Sequence, residues 1–252
     1  MPDLISGKNP VLEALKAGRP LNKILLSKNI RNDDAVNEIL GYARDRRIPV
    51  EYLDRQAIDR LALSVVEGQS LSNVNQGVLA YAAAKDYVTL DELLVIPKAR
   101  SEPALFCVLD GIEDPMNLGA ILRTAGATGV HGVVVRSRRA VGLTSTVAKA
   151  SAGAIEHVPV ARVTNISETI EALKKNNIWV TGIDMDGKAD FEKIDFTLPS
   201  AIVIGGEGQG LSPLVKKRCD TIARIPMKGQ ISSLNASVAA ALVMYRAFRQ
   251  RN

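Results

Sequence analysis

Residues 104–123, ALFCVLDGIEDPMNLGAILR, contain the pattern that decides the fold. The run Ala104–Asp110 is apolar and predicts a buried β-strand. A polar turn follows, and residues from Asn117 to Thr128 have helical spacing. A buried strand followed at once by a helix is the repeating unit of parallel α/β sheets, so this stretch predicts that architecture.

The rest of residues 104–252 repeats this alternation of strand and helix. Five more apolar runs predict strands: Gly132–Arg136, Val158–Val163, Ile178–Ile183, Ala201–Gly205 and Thr221–Pro226. Four more segments have helical spacing: Ser145–Ala152, Ser167–Lys175, Pro213–Lys217 and Ala236–Arg249. The pattern predicts a parallel sheet that is covered by helices on both faces.

Residues 1–83 predict a separate, small α/β domain. Its predicted strands are Lys23–Ser27, Pro49–Leu53 and Gly77–Ala83, and its predicted helices are a short one after Asn9, Asp33–Arg46 and Arg55–Leu63. Residues 84–103 contain a short apolar helix near Leu90–Leu94, then Pro97 and the polar KARSEP. This composition predicts a linker between two domains.

Composition narrows the classes of function. The net charge is +5, and residues 104–252 carry the surplus with 18 basic and 13 acidic side chains, which permits a polyanionic partner without requiring one. Two histidines and two cysteines, with no CxxC pair, predict no metal site. No signal-peptide core and no run of 18 apolar residues is present, so we expect a cytoplasmic protein without a membrane span.

Several common enzyme motifs are missing from the sequence. Neither GxGxxG after a strand nor GxxxxGK[ST] occurs, which argues against a standard dinucleotide site and a P-loop. GxSxG is also missing, and two histidines offer no Ser–His–Asp set. Any active site must therefore come from other segments.

Three polar segments follow predicted strands, at the edge where open parallel sheets bind ligands. They are Asp110–Arg123 (DGIEDPMNLGAILR), Ile202–Leu211 (IVIGGEGQGL) and Ala223–Ser237 (ARIPMKGQISSLNAS). Each has a purely structural interpretation on its own. Asn117 can cap a helix, four glycines can form a flexible turn, and a lone Arg123 is typical of a solvated surface. One of Ser233, Asn235 and Ser237 can cap the last helix. Together the segments predict a polar, glycine-lined ligand site.

The order and spacing of these segments resemble the three signature motifs of the SpoU (TrmH-like) branch of the SPOUT methyltransferases. The matching residues are Asn117, Leu118, Gly119 and Arg123 in the first motif, Gly205, Glu207, Gly208, Gly210 and Leu211 in the second, and Ile225, Pro226, Ser233, Leu234, Asn235 and Ser237 in the third. The N-terminal GKNPVLEAL and NQGVLA resemble the substrate-binding domain of the same family. The resemblance thus covers nearly the whole chain. It implies a small RNA substrate-binding domain at 1–83, a linker at 84–103 and a methyltransferase domain at 104–252.

The resemblance also implies a C-terminal trefoil knot, S-adenosylmethionine as methyl donor and an RNA ribose 2′-hydroxyl as acceptor. The implied donor-binding residues are Gly205, Gly206, Glu207, Gly208, Ile225, Met227, Ser233 and Leu234. The implied catalytic residues are Arg123, Asn117, Glu207, Ser233 and Asn235. Arginine normally stays protonated, so two roles remain open for Arg123: a base, or a cation that stabilises the developing alkoxide.

The resemblance also implies a homodimer, and the apolar face of the predicted helix Ala236–Phe248 suits such a contact. Burial within the subunit is the other interpretation of this face, and the two are not exclusive. RNA is expected on a surface that includes Arg136, Arg138 and Arg139, which otherwise form a solvated loop.

The two-domain layout most resembles enzymes that methylate a guanosine of large-subunit (23S) ribosomal RNA. Met116 and Asn75 stand where close relatives often have histidine, which leaves the target nucleotide open. Three alternatives therefore remain: the same chemistry on another ribosomal or transfer RNA nucleotide, a non-catalytic RNA-binding ribosome-assembly factor, and a SPOUT base methyltransferase.

Overall fold

The computed structural model describes residues 3–19, 21–46, 48–63, 75–82, 85–137, 140–206, 210–229 and 233–252. The chain divides into two compact units. The small unit comprises Met1–Asp86 and Gly142–His157, and the large unit comprises Tyr87–Val141 and Val158–Asn252. This division differs from the predicted domains in two places: residues 142–157 pack with the small unit, and residues 87–103 with the large one.

The small unit is an α/β layer structure. Its elements are β1 (Asp3–Ser6), α1 (Lys8–Lys16), β2 (Leu21–Ser27), α2 (Asp34–Asp45), β3 (Val50–Leu53), α3 (Arg55–Leu63) and β4 (Val78–Ala82). The described residues form a sheet in the order β1-β4-β2-β3, in which β2 and β3 are parallel and β4 runs antiparallel to β1 and β2. The predicted helices and strands of this region are confirmed to within a few residues.

Strand β1 was not predicted because only two of its four residues are apolar. Leu4 and Ile5 are both buried, and alternation sends them to opposite faces of the sheet. Ile5 packs in the cluster that contains residues of α1 and α2, whereas Leu4 packs with Ile58 and Ala62 of α3. The sheet therefore has helices on both faces.

The large unit is built around a parallel sheet. The segment 142–157, which belongs to the small unit, contains α6 (Ser145–Ala150). The elements of the large unit are α4 (Leu90–Arg100), β5 (Leu105–Asp110), α5 (Pro115–Ala127), β6 (Gly132–Arg136), β7 (Val160–Val163), α7 (Ile166–Lys175), β8 (Trp179–Ile183), β9 (Ala189–Asp190), β10 (Ser200–Gly205), α8 (Pro213–Arg218), β11 (Thr221–Arg224) and α9 (Ala236–Arg251). The described strands form a seven-stranded sheet in the order β7-β6-β5-β10-β8-β11-β9, and every neighbouring pair is parallel. The predicted α/β class with a parallel sheet is confirmed. Only the two-residue strand β9 had no sequence signal.

The strand order brings distant segments together. The chain runs outward from β5 through β6 to β7, crosses to β8, and then inserts β10 between β5 and β8. The carboxyl ends of β5, β10, β8 and β11 are therefore neighbours, and each is followed by a loop. The predicted trefoil knot concerns how these loops thread, and it stays a prediction.

Part of the predicted linker belongs to the core of the large unit. Helix α4 begins with a capping box, in which Thr89 and Glu92 exchange side-chain and backbone hydrogen bonds. Leu93 is fully buried against the sheet, and a Cβ on Gly132 would lie 2.2 Å from its Cδ1. A glycine at the start of β6 therefore gives α4 room to dock. No helix in the described ranges is long and apolar enough to cross a membrane.

Residues 142–157 join the small unit through a buried ion pair. Nη1 of Arg19 donates to Oε1 of Glu156 at 2.8 Å, and both side chains are almost fully buried. Nζ of Lys85 donates to the main-chain oxygen of Glu156 at 3.1 Å. This segment lies between β6 and β7 in sequence, so chain from the predicted methyltransferase domain completes the small unit.

Candidate active site

The second predicted motif begins where β10 ends beside β5. Gly205 is in register with Asp110, and Gly206 N donates to the main-chain oxygen of Asp110 at 2.9 Å. A Cβ on Gly205 would lie 2.1 Å from the carbonyl carbon of Gly210, and one on Gly206 would lie 2.3 Å from the oxygen of Gly111. Both positions require glycine because main chain passes this close on each side.

The glycine loop, residues 205–212, folds back on itself. Gly210 N donates to the main-chain oxygen of Gly206 at 3.1 Å, which closes the loop at its base. The chain that leaves it is held by side chains, since Leu211 N donates to Oδ2 of Asp184 and Ser212 N to Oδ2 of Asp110. The predicted site residues Glu207 and Gly208 lie outside the described residues.

Asp184 was not predicted as a site residue. It directly follows β8 and is 8% exposed. Burial raises the pKa of its carboxyl group, but hydrogen bonds from Nζ of Lys216 and from the amides of Asp186 and Leu211 outweigh it and lower the pKa below the usual value. The signal that could have found it is its place at a strand end, similar to that of Asp110, the last residue of β5.

The first and third motifs meet through two asparagines. Nδ2 of Asn235 donates to Oδ1 of Asn117 at 3.0 Å, across 118 positions of sequence. Oδ1 of Asn235 caps α9 by accepting from the amides of Ser237 and Val238, so the predicted capping of the last helix is confirmed. Asn117 does not cap α5, because the helix begins two residues earlier and Asp114 is its cap. Asn117 is buried instead, and its side chain serves the contact between motifs.

Arg123 lies on the exposed surface of α5. Within the described ranges it has no hydrogen-bond or ion-pair partner. Met116 is seven residues earlier, which places it on the same side of the helix, and it is 54% exposed. This face of α5 therefore presents an exposed cation, without a partner among the described residues, and a flexible apolar side chain.

The third motif supplies an exposed stretch of main chain after β11. Ile225 is half-buried, and Met227, Ser233 and Leu234 are exposed. The peptide groups of residues 226–229 have no hydrogen-bond partner in the described part of the chain. Peptide groups without a described partner lie here beside two exposed apolar side chains, and one strand, β8, separates this segment from the glycine loop. The arrangement fits a ligand with an apolar ring and several polar groups, as S-adenosylmethionine has.

Other predicted residues have structural partners. Nη1 of Arg136 lies 3.7 Å from Oδ1 of Asp110, so its guanidinium is close to the glycine loop, while Arg138 and Arg139 lie outside the described residues. Asn75 is buried; it donates to Asp59 and accepts from Gly77 N. No group of His, Cys, Asp and Glu in the described segments is arranged to hold a metal ion.

A parallel sheet whose strand ends carry a glycine loop and a cross-motif asparagine pair defines an α/β enzyme domain with one ligand-binding edge. Residues 104–245 match the model of the SpoU rRNA methylase family, and residues 4–88 match that of RNA 2′-O ribose methyltransferase substrate binding. The chain belongs to the SpoU rRNA methylase family, and it is an RNA methyltransferase. The predicted family and the class of RNA methyltransferase are confirmed, and transfer to a guanosine 2′-hydroxyl stays a prediction.

Relatives extend over almost the whole chain. YacO of Bacillus subtilis, assigned to the TrmH family tRNA/rRNA methyltransferases, is 46% identical over 250 residues, which are 99% of this chain and 96% of YacO. A Staphylococcus aureus protein assigned to the same family is 47% identical over 249 residues, with the same coverage of both chains. AviRb of Streptomyces viridochromogenes, crystallised with S-adenosylmethionine, aligns with a TM-score of 0.80 at 28% identity over 98% of this chain and 90% of its own. The predicted methyl donor is thereby confirmed for the family.

Proposed function

We propose that this protein transfers a methyl group from S-adenosylmethionine to a ribose 2′-hydroxyl of RNA. The observation that carries the proposal is the hydrogen bond between Asn117 and Asn235, because it joins the first and third motifs at the edge where the glycine loop lies. The match of residues 4–88 to a substrate-binding domain of ribose methyltransferases supports the acceptor.

The methyl donor binds between the loops that follow β10 and β11. Main chain of Gly205, Gly206, Gly208 and Ile225 grips it, together with Glu207, Met227, Ser233 and Leu234. S-adenosylmethionine supplies an activated methyl group when it is bound. The exposed apolar side chains exclude water from one side, and the peptide groups satisfy its polar atoms.

Arg123 acts on the acceptor. A ribose hydroxyl is a weak nucleophile, and a guanidinium that stays protonated is a poor base. Arg123 therefore stabilises the developing alkoxide and orients the neighbouring phosphate. Its exposed position, with no competing carboxylate among the described residues, suits contact with an RNA backbone. Asn117, Glu207, Ser233 and Asn235 complete the polar pocket.

The proposed target is a guanosine of 23S ribosomal RNA, in the cytoplasm. The test is to methylate total RNA from cells that lack the gene with labelled S-adenosylmethionine, and to map the product by nuclease digestion and mass spectrometry. We expect 2′-O-methylguanosine in the large-subunit RNA. A ribose methyl group in transfer RNA would change the target and keep the chemistry, whereas a methylated base would refute ribose transfer. RNA binding without any methyl transfer would favour an assembly factor.

The protein works as a homodimer. Helix α9 carries an exposed apolar stripe at helical spacing, formed by Val238, Leu242 and Tyr245, which are 46%, 42% and 49% exposed. Such a stripe is typical of a buried interface. We expect Leu242→Glu to yield a monomer in sedimentation experiments and to lose methylation, while Arg100→Glu at the end of α4 leaves a dimer. A Leu242→Glu protein that remains dimeric would contradict this interface.

A further inference from the structure

Two buried carboxylates accept hydrogen bonds from the amides of residues 211 and 212, at the end of the glycine loop. Leu211 N donates to Oδ2 of Asp184 at 3.1 Å, and the next amide, that of Ser212, donates to Oδ2 of Asp110 at 3.0 Å. Asp110 is 6% exposed and Asp184 8%. Burying two acids costs free energy unless they are well paired, so two acids on successive amides are more than an ordinary turn requires.

Asp184 also contacts the strand that leads to the third motif. Its amide donates to the main-chain oxygen of Ala223 in β11 at 3.0 Å, two residues before Ile225. A Cβ on Gly210 would lie 2.8 Å from Oδ2 of Asp184, so the glycine loop and this carboxylate are in close contact. One residue thus connects the second motif, through its side chain, with the third motif, through its main chain.

The position of Asp184 is itself fixed by a lysine. Nζ of Lys216 lies 2.8 Å from Oδ1 of Asp184 and 3.2 Å from Oδ2 of Asp186. The lysine leaves Oδ2 of Asp184 available to Leu211. Asp186 has an exposed side chain that shares the lysine but makes no contact with the glycine loop within the described residues. It therefore provides a matched control.

We propose that Asp184 is a positioning residue for the methyl donor, whose carboxylate fixes the glycine loop against β11 so that the main chain after β10 and β11 is preset for binding. The inference rests on the proposed function for the identity of the ligand. A loop held in its binding conformation loses less entropy when the ligand binds, so the clamp lowers the Kd.

The first test needs no ligand. Hydrogen exchange is measured on the full-length protein, in peptides that cover residues 210–216. Asp184→Asn leaves one oxygen for three donors, Leu211 N, Asp186 N and Nζ of Lys216, and Asp184→Ala leaves none. We expect amide exchange at Leu211 to be about tenfold faster in Asp184→Ala, less accelerated in Asp184→Asn, and unchanged in Asp186→Asn. Unchanged exchange in both Asp184 variants would overturn the proposal. If Asp184→Ala does not fold, the nearly isosteric Asp184→Asn decides.

The second test is calorimetric binding of S-adenosylmethionine. We expect Kd to rise about tenfold in Asp184→Asn and to stay close to that of the wild type in Asp186→Asn, while kcat at saturating donor changes little. A fall in kcat with unchanged Kd and KM for the donor would refute a positioning role. The proposed function would fail on a different result: an unaltered protein that binds the donor but methylates no ribose. In that case the exchange and binding results on the variants would still stand.

Discussion

The two edges of the large sheet use polar side chains in opposite ways. On α5, the helix that leaves the carboxyl edge, Arg123 is exposed without a partner in the described residues. At the amino edge, the guanidinium of Arg251 donates hydrogen bonds to four main-chain oxygens: those of Phe196 at 2.6 Å, Pro103 at 2.5 Å, and Ala104 and Leu198 at 2.9 Å. Arg123 is available to bind a ligand, whereas Arg251 stabilises the fold by binding main chain. A cavity of about 560 Å³ lies beside Arg251. Both charged side chains among the described residues that line it have partners, because Glu102 contacts His131 and Arg251 binds the carbonyl groups.

The largest expected effect is on activity, from the exposed arginine of α5. Arg123→Ala removes the cation that stabilises the developing alkoxide, so we expect methylation to fall by a factor of about 10² to 10³ while the melting temperature and the Kd for S-adenosylmethionine stay the same. Arg100→Ala, an exposed arginine at the end of α4, is the matched control. Normal turnover by Arg123→Ala would remove Arg123 from the mechanism.

The next effect is on stability at the amino edge. Arg251→Ala removes a donor from four carbonyl groups, of which, within the described ranges, only those of Ala104 and Leu198 keep a second donor, from Ser200. We therefore expect the free energy of unfolding to fall by about 2 kcal/mol in urea titrations. Activity per folded molecule should not change. Arg251→Lys keeps the charge with fewer donors and should lie between the two proteins. An inactive but fully stable Arg251→Ala protein would reverse the assignment of the two edges.

A smaller effect is expected at Asn235, where one substitution can separate its capping of α9 from its contact with the first motif. Asn235→Ser keeps an oxygen that caps α9 but cannot reach Asn117, so we expect a nearly unchanged free energy of unfolding and methylation that is about tenfold slower. Asn117→Ala should slow methylation similarly, and the double variant should add little. Additive losses in the double variant would show that the two asparagines act independently.

The smallest effect is the pH dependence of stability at the amino edge. Burial lowers the pKa of His131, while Glu102 opposes the shift. Between the lowered folded pKa and the ordinary value near ~6.5, the unfolded chain binds the proton and the folded chain does not, so stability is lost as pH falls from about 7.5 to 5.5. His131→Asn should flatten this dependence in urea titrations at the two pH values, with His157 retained in both proteins. An equally steep dependence in the variant would locate the titrating group elsewhere.

The sequence predicted the architecture because long apolar runs and helical spacing report burial directly. Six of the strands of the large sheet were predicted within two residues. It missed β1 and β9, which are short and take their stability from neighbouring strands. It also could not assign Gly142–His157 to the small unit, because the buried pair of Arg19 and Glu156 joins positions 137 residues apart.

The candidate site was predicted in its motifs but not in its connections. Asn117 could be either a helix cap or a site residue from spacing alone, and the contact with Asn235 decides for the site. Asp184 carried no motif, since its importance comes from the strand order that places β8 beside β10. Short-range patterns predict elements, whereas partners across the sheet depend on topology.

The contrast between the two edges is tested most directly by hydrogen exchange of the full-length protein with and without S-adenosylmethionine. With the donor bound, we predict slower exchange in peptides that cover residues 205–212, 223–229 and 233–238. We predict no change in exchange in peptides that cover 103–105 and 196–200. Protection at the amino edge, in the cavity beside Arg251, would contradict the placement of the methyl-transfer site at the carboxyl edge.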